Sequence, residues 1–160
     1  MGTTDGWWDS VSFAAALGSG LIAGVFYAFS TFVMKALSRL PAPEGVAAMQ
    51  SINVAVINPM FLGVFLGTAA VSLAAAVVAV ARWQRPGAEY LLSGGLLYLV
   101  GTFGVTIAFN VPLNNSLAAV SPGDAGAAAQ WASYTSRWTA WNHVRTAAAV
   151  GAMVLLALRT

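Results

Sequence analysis

The sequence predicts an all-α membrane protein: a four-helix transmembrane bundle, with a short interfacial helix between helices 1 and 2 and a helical extension before helix 4. Three observations predict it. Of the 160 residues, 59% are hydrophobic and only 8% charged, where soluble domains carry about 25% charged residues. The charges fall in short patches. The stretches between them reach the roughly 20 apolar residues that a spanning helix requires. One membrane domain accommodates residues 1–160, with spans near 11–34, 59–81, 90–111 and 138–158.

Each element has its own signals. Met1 to Asp5 lack the positive n-region of a cleavable signal peptide. Gly6 stands where a myristoylation motif needs Ser or Thr. Trp7 and Trp8 precede the first apolar run, at the depth of an interfacial aromatic belt. Lys35 and Arg39 close the first span, and Pro41, Pro43 and Gly45 break the chain. A short helix over 46–57 follows, with Gln50 and Asn53 on one face. Asn58 and Pro59 make an N-cap followed by a first-turn proline. The second span stops at Arg82, Arg85, Pro86 and Gly87, so helices 2 and 3 form an antiparallel pair. The third is expected to end at Pro112 and give way to a polar loop over 113–121. Ser121 to Asp124 then read as a capping start for the last helix.

That last helix is informative. Its apolar tail, 146–158, is too short to span alone, so the membrane part must begin near Trp138. Asn142, His143 and Arg145 are thereby forced below the interface. Small residues at four-residue spacing, Gly20 and Gly24 or Gly63 and Gly67, together with Gly101, fit close helix packing, or a dimer face. The absence of Lys and Arg before the first helix favours an N-terminus outside the plasma membrane.

With four spans, the two long connections lie at one end of the bundle. That end collects Gln50, Asn53, Asn58, Asn110, Asn114, Asn115, Trp131, Tyr134, Trp138, Trp141, Asn142, His143 and Arg145. At about 100° per residue, Trp131, Tyr134, Trp138, Trp141, Asn142 and Arg145 share one face, and His143 points elsewhere. Tyr98, Thr102, Thr106 and Asn110 form a second polar stripe, and Tyr27 and Ser30 stand on helix 1. Arg145 serves either as a fixed cation in a pocket or as a snorkelling or structural group. The alternative for Asn58 and Asn115 is to cap helices or close turns, and for the tryptophans to anchor at the interface.

Much chemistry is excluded. There are no cysteines, and the carboxylates Asp5, Asp9, Glu44, Glu89 and Asp124 all fall outside the spans. One histidine makes no three-histidine metal site. A haem with His143 as its lone axial ligand stays open. A net charge of +2 is too small for a nucleic-acid footprint. The partners expected are the lipid bilayer, a hydrophobic small molecule, and either a second copy of the chain or a larger membrane complex.

Four stretches carry a resemblance. They are Gly24 to Ser30, Met49 to Asn53 with Asn58-Pro59, Asn110-Val111-Pro112-Leu113-Asn114-Asn115, and Trp138 to Thr146 with its Trp-Asn-His-Val-Arg-Thr core. In that order they resemble the anthrone oxygenase-like membrane proteins, long labelled a domain of unknown function. The resemblance implies the four-helix fold and an oxidation of an anthrone to an anthraquinone by dioxygen, with no known metal or flavin. His143 would be the base. Arg145 with Asn142 or Asn110 would hold the oxyanion, and Trp138, Trp141 and Tyr27 would form an aromatic slot. Gln50, Asn53, Tyr98, Asn114, Asn115 and Tyr134 complete the expected substrate contacts. A regular helix cannot aim His143 and Arg145 at one cavity, so either that helix is distorted or a water held by the asparagines is the base. A non-enzymatic lipid or quinone binder, or an accessory subunit, is the competing reading.

Overall fold

The computed structural model describes residues 6–159; the readings that rest on Met1 to Asp5 lie outside them. Five helices follow in order. We label them α1 (Gly6–Leu37), α2 (Ala42–Ala55), α3 (Pro59–Ala81), α4 (Ala88–Ala118) and α5 (Ala127–Leu158). All but α2 are long and apolar enough to cross a membrane. Their outward faces carry Leu17, Leu21, Leu66, Leu73, Val77, Val80, Val100 and Ile107, while Ser12, Ser19, Thr68, Ser72, Thr102, Asn110, Asn142 and Arg145 are buried. Water would penalise that arrangement, and lipid favours it. The chain is a multi-pass membrane protein.

Local chemistry sets the helix ends. Asn58 has extended backbone, and its Oδ1 accepts from the Phe61 N–H at 3.0 Å, with Pro59 just inside the helix. Asp9, Glu44 and Glu89 each occupy the first turn of a helix, where the positive end of the dipole favours a carboxylate. Gly87, at φ 82°, takes the left-handed turn between α3 and α4, pressed against the chain at Arg159.

Two boundaries differ from expectation. The third helix does not stop at Pro112 but continues to Ala118. Proline breaks an α-helix by clashing with the carbonyl four residues back. Here Thr106–Asn110 is π-helical, and the wider turn just before Pro112 leaves room for the ring. The last helix begins at Ala127, later than Ser121 to Asp124, which form turns instead. At 1.5 Å per residue its 32 residues measure about 48 Å, well beyond a bilayer core of about 30 Å. The surplus is the expected N-terminal extension.

Glycines govern how closely the helices approach, but not always the expected ones. A Cβ on Gly18 would lie 2.0 Å from Thr68 Oγ1, and one on Gly95 would lie 2.8 Å from the Ser72 carbonyl. Gly101 abuts Ala148 and Gly20 abuts Met153. Gly24, Gly63 and Gly67 have nothing within 4 Å, so these three do not serve the bundle's own packing. Gly45 on α2 lies flat under the Trp131 ring, with 2.7 Å left for a Cβ. Overpacking a rigid ring costs about 1–3 kcal/mol. Gly45→Ala is expected to lower the Tm in detergent by several degrees, and Gly63→Ala to leave it unchanged. Equal shifts in thermal unfolding would contradict the packing role.

The two ends are unlike. At one, Arg159 pairs with Asp9 and lies over Trp8, and Arg82 lies over Trp7 and Trp8. Trp7 is half exposed, as an interfacial anchor should be, but Trp8 is buried. At the other end α2 lies across α5 and the last turns of α4. Val46, Met49, Leu117, Val120, Trp131, Tyr134 and Trp138 form a cluster there. The Gln50 amide ties it down, donating to the Leu117 and Val120 carbonyls at 2.9 Å each.

Candidate active site

Beneath α2 lies a cavity of about 670 Å³, walled by all five helices and mostly apolar. Phe26 and Phe29 come from α1, Phe61 and Phe65 from α3, Phe103 and Thr106 from α4, and Trp138 and Arg145 from α5. Helix α4 is π-helical over Leu97–Gly104 and Thr106–Asn110. On a regular α-helix a step of four residues drifts about 40°. The wider turns undo that drift and hold Tyr98, Thr102, Thr106 and Asn110 along one inward face. A further π-helical stretch, Phe29–Val33, adjoins the cavity on α1.

Arg145 is the centre of the site and is 4% exposed. Its guanidinium carbon sits 4.1 Å from the centroid of the Phe26 ring and 5.0 Å from that of Trp138. Nη2 donates to Asn142 Oδ1 at 2.6 Å and Nη1 to Thr106 Oγ1 at 3.3 Å, while Nε has no partner. No carboxylate pairs with it among the described residues, and none lines the cavity. A buried ion normally has a counter-ion. This one has only hydrogen bonds and aromatic faces, with a cavity beside it.

Asn142 holds that cation in place. Its Nδ2 donates to the Phe26 carbonyl and to Ser30 Oγ, both at 2.7 Å, so its oxygen is fixed towards Arg145. Thr146 Oγ1 donates to the Asn142 carbonyl and meets Ser30 Oγ at 3.1 Å. Nearer α2, Asn114 Oδ1 accepts from Tyr134 Oη at 2.9 Å and from Trp138 Nε1 at 2.8 Å. Asn53 and Asn115 also line the cavity, and the buried Asn53 Nδ2 has no partner. Gln50 lines it too, with its amide nitrogen already spent on two carbonyls.

Other candidates lie elsewhere. Asn110 is buried and donates to the Trp138 carbonyl at 3.2 Å, behind the cavity wall. Tyr98 is a core residue whose hydroxyl donates to the Phe65 carbonyl at 3.0 Å. Trp141 stacks on Phe109 with centroids 3.6 Å apart, outside the cavity. Tyr27 is 60% exposed on the outer face of α1; Phe26, one residue earlier, takes the slot expected of it. His143 is exposed, because α5 stays regular and a two-residue step turns it about 200° from Arg145. It neither reaches the cavity as a base nor could ligate a haem held there. Thr106 and Ser30 were visible as polar residues on inward faces; the phenylalanines carried no signal beyond their apolarity.

The class these features define is a multi-pass membrane bundle with a buried cation, unpaired with any carboxylate among the described residues, at the head of an apolar, aromatic-walled cavity. The comparisons give that class a family. The anthrone oxygenase family model matches residues 60–155, and the chain belongs to that family. No curated protein and no solved structure matches it.

Proposed function

We propose that the protein oxidises a hydrophobic aromatic or quinone-like substrate with dioxygen at an acidic carbon, using no resident cofactor. The observation that carries this reading is Arg145, a buried guanidinium with a free Nε beside an aromatic-lined cavity. An anthrone-type CH₂ group loses a proton to give an enolate. Its oxyanion lies against Arg145, whose donors are already oriented by Asn142 and Thr106. The electron-rich carbon gives electrons to dioxygen and a carbon–oxygen bond forms. Loss of water from the resulting hydroperoxide leaves a carbonyl. The CH₂ thus becomes C=O, and dioxygen ends as that oxygen and one water. The proton goes to water held by Asn53 and Asn114, since His143 faces outward. Phe26, Phe29, Phe65 and Trp138 supply ring contacts on the flat faces of the substrate.

The test is oxygen uptake by the purified protein with a panel of anthrone-type substrates, measured against their autoxidation in empty detergent. Uptake above that background is expected, with one dioxygen consumed per carbonyl formed. No excess uptake across the panel would leave the cavity as a binding site for such molecules. We further read the membrane as the plasma membrane with the N-terminus outside, from Lys35 and Arg39 at the α2 end. Arg82 and Arg85 at the opposite end weigh against that orientation, and reagent accessibility of the 82–87 loop decides it.

A further inference from the structure

We infer that the ligand of this site reaches Arg145 sideways from the bilayer, through a gap between α3 and α4, and enters as the uncharged acid. The inference rests on the oxyanion reading above and adds a route and a charge state to it. At the α2 end the cavity is plugged. Gly45 is seated under Trp131, Val46 and Met49 are fully buried, and the two Gln50 hydrogen bonds lock α2 to the end of α4. Opening that end means separating a packed cluster. Sideways there is no such cover. Helices α3 and α4 pack together near their connection, through Gly95 on the Ser72 carbonyl and Tyr98 on the Phe65 carbonyl. Phe65 against Phe103, with centroids 5.6 Å apart, continues that contact. Further on, Leu66 and Ile107 line the cavity from the two helices and are both about half exposed, and Val54 in the last turn of α2 and Ile57 just after it are more exposed still. These edges are apolar, and in a membrane they face acyl chains.

A route with such walls selects its cargo. An anion would have to shed its water in the gap before meeting any compensating charge, which apolar surroundings strongly penalise. A neutral aromatic acid pays nothing comparable and arrives concentrated by its own partition into lipid. Its proton is lost only once the oxygen lies beside Arg145, which among the described residues is the one charged side chain lining the cavity.

The natural chain has no cysteine, so a single introduced thiol reports the route without any turnover. Thr106→Cys places that thiol at the cavity wall beside the Arg145 guanidinium, where a cation favours the reactive thiolate. In proteoliposomes, N-phenylmaleimide, which dissolves in lipid, is expected to label it at least about tenfold faster than a sulfonated, water-bound thiol reagent. Charge alone would favour the anionic reagent at this site, so the reverse order reports the path. Adding Ile107→Trp is expected to slow the maleimide about tenfold, while Val100→Trp, on the outer face of α4 away from the cavity, leaves it unchanged. Asn53→Cys serves the same comparison should the first variant misfold. Equal rates with both reagents, or no effect of Ile107→Trp, would overturn the lateral route. Because labelling needs no oxidation, a failure of the oxygenase reading leaves this result standing, and the converse holds too.

Discussion

Arg145→Met is expected to abolish substrate-dependent oxygen uptake while leaving the bundle about as stable as the wild type. The two halves of that expectation come from different physics. For stability, a guanidinium buried at membrane depth costs a few kcal/mol, offset here by its two hydrogen bonds and by the Phe26 and Trp138 rings. Methionine fills a similar volume, keeps the contact with both rings and removes the desolvated charge. It leaves Asn142 Oδ1 without a donor, which costs about 1–3 kcal/mol. Thr106 is little affected, because its hydroxyl already donates to the Thr102 carbonyl at 2.7 Å. These terms nearly cancel, so the Tm in detergent should move by only a few degrees in either direction. For activity nothing cancels. Removing one donor from an oxyanion site typically costs about 10²–10³ in kcat, and this substitution removes the charge with it. Uptake should therefore drop to the autoxidation background. Arg145→Lys keeps the charge but not the planar fork that reaches Asn142 and Thr106 together, and it should retain a small fraction of the activity. Uptake within a few-fold of wild type in Arg145→Met would mean that Arg145 is structural and that the oxyanion is held elsewhere.

How much of this was legible in the sequence depends on whether a residue is conspicuous against an apolar background. The stripe of Trp131, Tyr134, Trp138, Asn142 and Arg145 was, because α5 is regular and its polar residues are few. The same regularity already argued that His143 could not share a cavity with Arg145, and it does not. The asparagines at the α2 end were gathered correctly by topology, since two long connections must lie on one side of a four-span bundle. The apolar half of the site was not legible. In lipid the outer face of a helix is as apolar as its core, so Phe26 and Phe103 look no different from Phe13 or Phe32. Tyr27 drew attention by its hydroxyl, yet its neighbour Phe26 does the packing. The π-helical turns of α4 have no simple sequence mark, and without them Pro112 reads as a helix end. The glycine spacing misled for a related reason. Gly24, Gly63 and Gly67 have the pattern of a close contact and make none within the bundle; of the glycines so read, Gly20 and Gly101 do pack, while Gly18 and Gly95, whose partners are remote in sequence, were not marked by spacing.

The sharpest separation between a positioning role and a merely structural role comes from Asn142→Asp, which changes one atom and no volume. The aspartate is expected to cripple the oxidation by about a hundredfold or more while the protein still folds. In the wild type the amide oxygen of Asn142 orients Arg145 without neutralising it, and its Nδ2 ties α5 to the Phe26 carbonyl and Ser30. A carboxylate in the same place forms an ion pair with Arg145, and in an apolar interior that pair is tight. One hydrogen bond is lost, because a carboxylate oxygen now faces the Phe26 carbonyl; Ser30 can turn its hydroxyl to donate instead. The loss of about 1–2 kcal/mol is offset by the new pair, so the Tm changes little. An incoming oxyanion, however, must now compete with an internal carboxylate for the same cation. The Ki of a phenolate analogue that mimics the enolate should rise by about the same factor of a hundred, close to 2.7 kcal/mol at 1.36 kcal/mol per tenfold. Asn142→Leu makes the contrasting case. It leaves the Phe26 carbonyl unpaired and Arg145 unoriented, so the Tm and kcat fall, but the cation stays free and the analogue still binds. A structural asparagine predicts the opposite order, with the leucine damaging and the aspartate tolerated in every assay. If the aspartate variant binds the phenolate analogue as tightly as wild type, the cation beside this cavity is not there to receive an anion.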